Sequence, residues 1–288
     1  MARKILIIST TFYPDPQVGA IRMTQWARHL PEHGWEPHVL CRWYDFESQP
    51  GALARDVHPD VVLEYLDRPG ASPSVGKAGG WVRKTARRLA QMLLRYRGFA
   101  SLIVPDPSIR FWRLRRQYIL RRVREIAPDV ILTTSPPHAN HDVGKWLSAQ
   151  TGIPWVADFR DPYLIDIRFR PVGLGALRWD AHKAFKACIY KSTWFATHAI
   201  PTQQRWVQRH HPVTSGRSLT LTNGYPPSLL EALEEAGAAP APARRTILVA
   251  GTIPEAEQIT LSRAVAGMVN RGADVQLVLI GRTPSSSE

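Results

Sequence analysis

Cysteine is scarce in this 288-residue chain: there are two, Cys41 and Cys188, far apart in sequence. That excludes a disulfide framework and a cysteine-built metal centre, and the compartment expected is a reducing cytosol. Long apolar runs are lacking too. No stretch approaches the ~18 consecutive apolar residues that cross a bilayer. Met1 to Lys4 lead straight into a candidate strand with no apolar leader, so the expectation is a soluble or peripheral protein. Acidic residues are missing from two segments. Residues 81–97 hold Arg83, Lys84, Arg87, Arg88, Arg95 and Arg97; residues 110–124 hold Arg110, Arg113, Arg115, Arg116, Arg121, Arg122 and Arg124. These thirteen basic residues equal the whole net charge of +13, so the excess is local and marks a surface expected to meet something anionic. No nucleic-acid motif or aromatic platform accompanies it, and nucleic acid is not expected as a partner.

What is present is dominated by the first forty residues. Ile5 to Ile8 form a short β-branched run, as in a strand buried on both faces. A turn rich in proline follows, from Tyr13 to Gly19. Met23, Trp26, Ala27 and Leu30 then recur at helical spacing, with Pro31 expected to kink or shorten that helix and Gly34 to stop it. His38 to Cys41 begin a second strand. This is a βαβ unit whose first loop ends in glycine at a helix start, a place suited to a phosphate or diphosphate.

Strands are expected at residues 61–66, 129–134, 155–159, 194–200 and 219–222. Helices are expected at 81–96, 111–127, 176–191 and 202–210, with a further one carrying Val143, Trp146 and Leu147 and closed by Gly152. This alternation predicts a parallel α/β sheet with crossover helices. Residues 228–245 turn acidic and then Ala- and Pro-rich, as in a short helix and a linker. A fresh βαβ unit follows, with a strand from Thr246 to Gly251, a helix from Glu255 to Asn270 and a strand from Val275 to Gly281. The expected organisation is a Rossmann-like domain over 1–227, a linker over 228–245, and an incomplete second Rossmann-like domain over 246–288. Some 45 residues do not bury a doubly wound sheet alone.

Several segments together carry a resemblance. They are Tyr13-Pro14 through Gly19; Val104-Pro105-Asp106-Pro107 leading to Phe111-Trp112; Pro128-Asp129-Val130-Ile131; Ser135-Pro136-Pro137-His138; Ile153 through Tyr163; and Thr222-Asn223-Gly224-Tyr225. In this order and spacing the chain resembles family 4 glycosyltransferases of the GT-B fold, of the bacterial exopolysaccharide and O-antigen type. The resemblance implies two facing Rossmann-type domains, a nucleotide-sugar donor held mostly by the second, an acceptor held mostly by the first, and transfer with retained configuration. It implies a lipid-linked or polysaccharide acceptor and no cofactor beyond the donor substrate. The pattern departs from the family at Gly19-Ala20, where two glycines are common, at Pro226, and at Glu255-Ala256-Glu257, where a basic residue would suit the diphosphate. The family's Glu-x7-Glu segment does not occur before Glu288.

The candidate site residues follow from both lines. Gly19 would bring a backbone N–H to a diphosphate, and Arg22 one turn on would meet a phosphate or an anionic acceptor, or else face solvent. His138, after a strand end, would line a sugar pocket or cap the next helix. Asp158, Arg160 and Asp161 end another strand, with Asp161 as the candidate base and Asp158 either an acceptor contact or half of a loop-fixing ion pair. Ser135, Asn223 and Gly251 complete the donor or substrate set, Asn223-Gly224 being expected as a positive-φ turn. His138 and His141 have no carboxylate or cysteine to complete a metal site, and none is expected. Arg83, Lys84, Arg87, Arg88, Arg113, Arg115 and Arg116 form the candidate anionic-membrane surface. Two alternatives stand beside the transferase: an inert truncated module that binds a membrane or partner, and another GT-B enzyme such as a sugar-nucleotide epimerase.

Overall fold

A computed structural model describes residues 2–15, 18–43, 57–67, 104–163, 174–225, 244–251 and 255–280, with positions 230, 231, 234, 235, 237 and 253. The helix expected at 81–96, with Arg83, Lys84, Arg87 and Arg88, lies outside the described residues, as does most of 228–245. The chain divides into two compact units, Met1–Ser228 and Leu229–Glu288.

The first unit is built on a seven-stranded sheet ordered β3-β2-β1-β4-β5-β6-β7, parallel at every pairing. The strands are β1 (Arg3–Ser9), β2 (Trp35–Arg42), β3 (Val62–Leu66), β4 (Val130–Ser135), β5 (Trp155–Phe159), β6 (Phe195–His198) and β7 (Ser218–Thr220). Its described helices are α1 (Val18–His29), α2 (Ile109–Ile126), α3 (Ala139–Thr151), α4 (Leu174–Ser192) and α5 (Pro201–His210). β1 and β4 are central and buried along nearly their whole length, which is why their sequences run apolar without alternation. Successive side chains still diverge. Leu6 and Ile8 join one core layer with Trp112, Ile131, Val143, Trp155 and Phe159, while Ile5 and Ile7 join the opposite layer with Met23, Ala27, Val39 and Leu132.

Turn chemistry sets the element ends. α1 stops before Pro31, which opens a short 3-10 turn that Gly34 closes at φ 75°; Gly34 therefore caps that turn and not α1 itself. α2 ends on Ala127 at φ 50°, directly before Pro128, and α3 on Gly152 at φ 73°. α2 begins two residues before the expected Phe111, and the strand expected at 194–200 is confined to β6.

The second unit contains two parallel strands, β8 (Arg245–Ala250) and β9 (Val275–Ile280), joined by α6 (Glu255–Asn270). Leu248, Ile259, Val269 and Ile280 are exposed there. The sheet order β3-β2-β1-β4 places the topological switch of the first unit between β1 and β4, whose carboxyl ends therefore bound the crevice where open α/β sheets take ligands.

Candidate functional site

At the switch point Thr10, just past β1, donates its hydroxyl to Asn140 Oδ1 at 2.6 Å, and Asn140 Nδ2 donates to Thr134 O at 2.7 Å. These bonds fix the N-terminus of α3 between β1 and β4. Asp106 completes the arrangement, because its Oδ2 accepts the Ala139 N–H at 2.9 Å and so caps α3. His138 occupies the N-cap position but makes no side-chain cap bond.

Gly19 lies in the first turn of α1, and a Cβ there would overlap Nη1 of Arg160. The bare glycine thus lets a guanidinium approach the positive end of a helix. Arg160 also pairs with Asp161, Nη2 to Oδ2 at 3.2 Å, and its backbone N–H donates to Ser135 O at 3.1 Å. The Arg160 side chain is 16% exposed and that of Asp161 55%. The Asp161 backbone carbonyl is held by Gln203 Nε2 at 3.2 Å. Gly19, Arg160 and Asp161 are therefore brought together at the carboxyl edge.

Arg22 and Asp158 form a buried ion pair. Arg22 is buried, not facing solvent, and it donates from Nε and Nη2 to Asp158 Oδ2 and Oδ1 at 3.1 and 2.9 Å. Thr134 and Thr197 donate to the same two oxygens at 2.8 and 2.6 Å. A carboxylate offers about four acceptor positions, so Asp158 keeps none for an acceptor hydroxyl. Nη1 of Arg22 reaches Thr222 O at 3.2 Å and Asn223 Oδ1 at 3.0 Å, and Trp26 covers the guanidinium at 4.5 Å. The loop-fixing pair expected for Asp158 exists, but its partner is Arg22. Neither Asn223 nor Gly224 adopts positive φ; Asn223 is held by Arg22 in place of a turn. Ser135 is fully buried, its hydroxyl donating to Asp158 O at 3.3 Å. Gly251 sits in the second unit, after β8, at φ 135°.

The basic helix α2 carries ion pairs to other elements. Arg113 and Arg116 pair with Asp142, Arg115 pairs with Asp67 and lies over the Phe111 ring, and Arg122 pairs with Glu64. Arg113, Arg115 and Arg116 thus meet acids from elsewhere in the chain, with Arg113 and Arg116 sharing Asp142 and Arg113 more than half exposed. No described helix is long and apolar enough to cross a membrane.

Histidines line the sheet. His141 Nδ1 and Thr133 Oγ1 are hydrogen-bonded at 2.7 Å, and that hydroxyl also accepts the Trp155 Nε1–H at 2.8 Å. Burial holds the His141 pKa well below its ordinary value. Burial also pushes His198 down to about 4, against the opposing pull of Asp158. Among the described residues no three His, Cys, Asp or Glu side chains group as a metal site. Residues that sequence reasoning passed over are Tyr163, His182 and Lys186 behind His138. A shallow recess of about 10 Å³ at the ends of β1–β3, lined by Thr10, Phe12, Asp15, Arg42, Trp43 and Tyr65, was passed over as well, and it has room for about one water. The four-residue spacing of His182 and Lys186 was the available signal.

No protein-family model matches the chain, and no curated sequence relative was found. Solved structures do match. Sucrose-phosphate synthase from Thermosynechococcus elongatus superposes over 96% of this chain and 70% of its own, at 12% identity and TM-score 0.55. UDP-GlcNAc 2-epimerase from Neisseria meningitidis, bound to UDP-GlcNAc, matches over 96% and 64%, at 10% identity and TM-score 0.53. The catalytic domain of starch synthase IV from Arabidopsis thaliana, bound to ADP and acarbose, matches over 99% and 69%, at 11% identity and TM-score 0.51. The fold is Rossmann-like, of the GT-B type. At these identities the likeness establishes architecture, and it groups transferases and an epimerase alike. The chain spans 64% of the epimerase's length.

Proposed function

We propose that this chain is a glycosyltransferase that uses a nucleotide sugar. The carrying observation is the Arg160 guanidinium against Gly19 at the α1 start, with the exposed Asp161 as its paired acid among the described residues. Two positive features meet there at the switch point of a Rossmann-like sheet, which suits the diphosphate of a sugar nucleotide. Asp161 is the carboxylate placed to orient or deprotonate an acceptor hydroxyl. The acceptor proposed is a lipid-linked or polysaccharide chain, on the sequence resemblance. Transfer with retention, membership of family 4, and a part in cell-surface polysaccharide synthesis at the inner membrane face rest on the sequence resemblance.

Calorimetry with UDP-glucose and UDP-GlcNAc tests the reading. Arg160→Ala is expected to weaken binding about tenfold, the size of one charge-assisted hydrogen bond. Absence of binding to every nucleotide sugar tried overturns it. A sugar-nucleotide epimerase is the second reading, favoured by the fold match to an epimerase at TM-score 0.53. Conversion of UDP-GlcNAc without any acceptor would select it.

A further inference from the structure

Behind His138 lies a support that the function just described does not use. Tyr163 lies flat on the imidazole, with ring centroids 3.8 Å apart and planes inclined by 26°. The Tyr163 hydroxyl bonds to His182 Nδ1 at 2.6 Å, and its backbone carbonyl accepts from Lys186 Nζ at 2.5 Å. His182 and Lys186 are four residues apart on α4 and share one face. Lys186 is buried, with the Trp206 ring 4.1 Å from its ammonium. Tyr163 is thus fixed at both its ring end and its backbone.

The imidazole has no structural duty at the helix start, because Asp106 caps α3 in its place. His138 Nδ1 is buried without a hydrogen-bond partner, which Nε2 is not. An orphaned buried N–H is rarer than an under-used acceptor, so the proton belongs on Nε2. The charged and titratable groups around the ring are His182 and Lys186 from α4, Arg160 from the loop after β5, and His141 from α3. Among the described residues Asp106 is the acid that acts on Tyr163 and His182, and Arg178 opposes it on both. Burial, then His182, Lys186 and Arg160, push His138 down to about 3.

We propose that Tyr163, backed by His182 and Lys186, is a positioning residue that presents His138 as a neutral Nε2–H donor to the sugar at the carboxyl edge. His138 then binds and orients and does not carry a proton. This deepens the nucleotide-sugar reading and rests on it for the identity of the ligand, but the state of the ring is testable without any ligand.

Long-range proton–nitrogen NMR of the full chain between pH 5 and 8, with His138→Gln for assignment, reads the ring directly. The expected spectrum is the neutral Nε2–H form throughout. Tyr163→Leu removes the stack and brings a titration into that range, whereas Tyr163→Phe keeps the ring and does not. Lys186→Met keeps the fold's packing and raises the inflection. An Nδ1–H tautomer, charging of His138 in the parent protein, or an unchanged ring in Tyr163→Leu and Lys186→Met overturns the proposal. In a second arm, Tyr163→Leu weakens UDP-GlcNAc about tenfold and leaves UDP unchanged, the loss of one hydrogen bond to sugar. Equal weakening of both overturns the assignment to sugar. If neither probe binds the parent protein, the nucleotide-sugar reading fails, and the spectra still decide whether Tyr163 governs the ring.

Discussion

Asp158 and Asp161 stand three residues apart, each paired with an arginine, and the two pairs do opposite things. Arg22–Asp158 is closed off, its side chains 3% and 0% exposed, and the carboxylate accepts from Arg22, Thr134 and Thr197. Arg160–Asp161 is open, 16% and 55% exposed, and its guanidinium rests against a helix start. A saturated pair holds α1, β4, β5, β6 and residues 222–223 together and has nothing left to offer a ligand. An unsaturated pair contributes little to the fold and keeps capacity for an incoming anion. The difference separates scaffold from site within a single strand end.

Removing one member of the closed pair should have the largest effect. Asp158→Ala leaves the Arg22 charge buried without a counter-ion and is expected to lower stability by about 3–5 kcal/mol in urea denaturation. A loss below about 1 kcal/mol would mean the pair is not what joins these elements.

Acid should come next. Burial depresses the pKa of His141 and His198 in the fold below the unfolded value near 6.5. The unfolded chain therefore takes up protons that the folded chain refuses, so stability is full above about 6.5 and falls as pH drops toward about 4. Between pH 7 and 5.5 these two rings and His138, which burial also depresses, should together cost about 4 kcal/mol, read from denaturation midpoints at the two values. A flat profile would show that the rings charge without penalty.

The open pair should respond in the reverse sense. Arg160→Ala is expected to change stability by less than about 1 kcal/mol while weakening nucleotide-sugar binding. A large stability loss with unchanged binding would make it a second scaffold pair. The smallest effect belongs to α2. Arg116→Ala, which loses a partly exposed bond to Asp142, should cost about 0.2–1 kcal/mol. It should also leave sedimentation with anionic vesicles unchanged, because the arginine already faces an acid.

The sequence carried the fold well where periodicity and punctuation agree. The helix from Glu255 to Asn270 and the strand from Trp155 to Phe159 are found with the expected ends. The β-branched run at Ile5 marked the central strand for a physical reason: a strand buried on both faces has no polar side to show. The pairings that decide the site were not legible. Arg22 meets Asp158 across 136 residues because parallel crossovers bring α1 beside the end of β5, and no local spacing records that. The arginines of α2 looked like a free surface because their acids, Asp67, Glu64 and Asp142, lie outside the segment. Asn223-Gly224 carried a turn signal, but a guanidinium that binds Asn223 Oδ1 holds the chain without one.

On the function proposed, the open pair and the bare glycine at the start of α1 receive the charged tail of a sugar carrier. Backbone NMR of the chain titrated with UDP-GlcNAc tests it most directly. Shifts are expected to concentrate at Gly19, Ala20, His138, Arg160 and Asp161, with Arg22 and Asp158 moving far less. Shifts centred away from the carboxyl ends of β1, β4 and β5, or no shifts at saturating ligand, would contradict it.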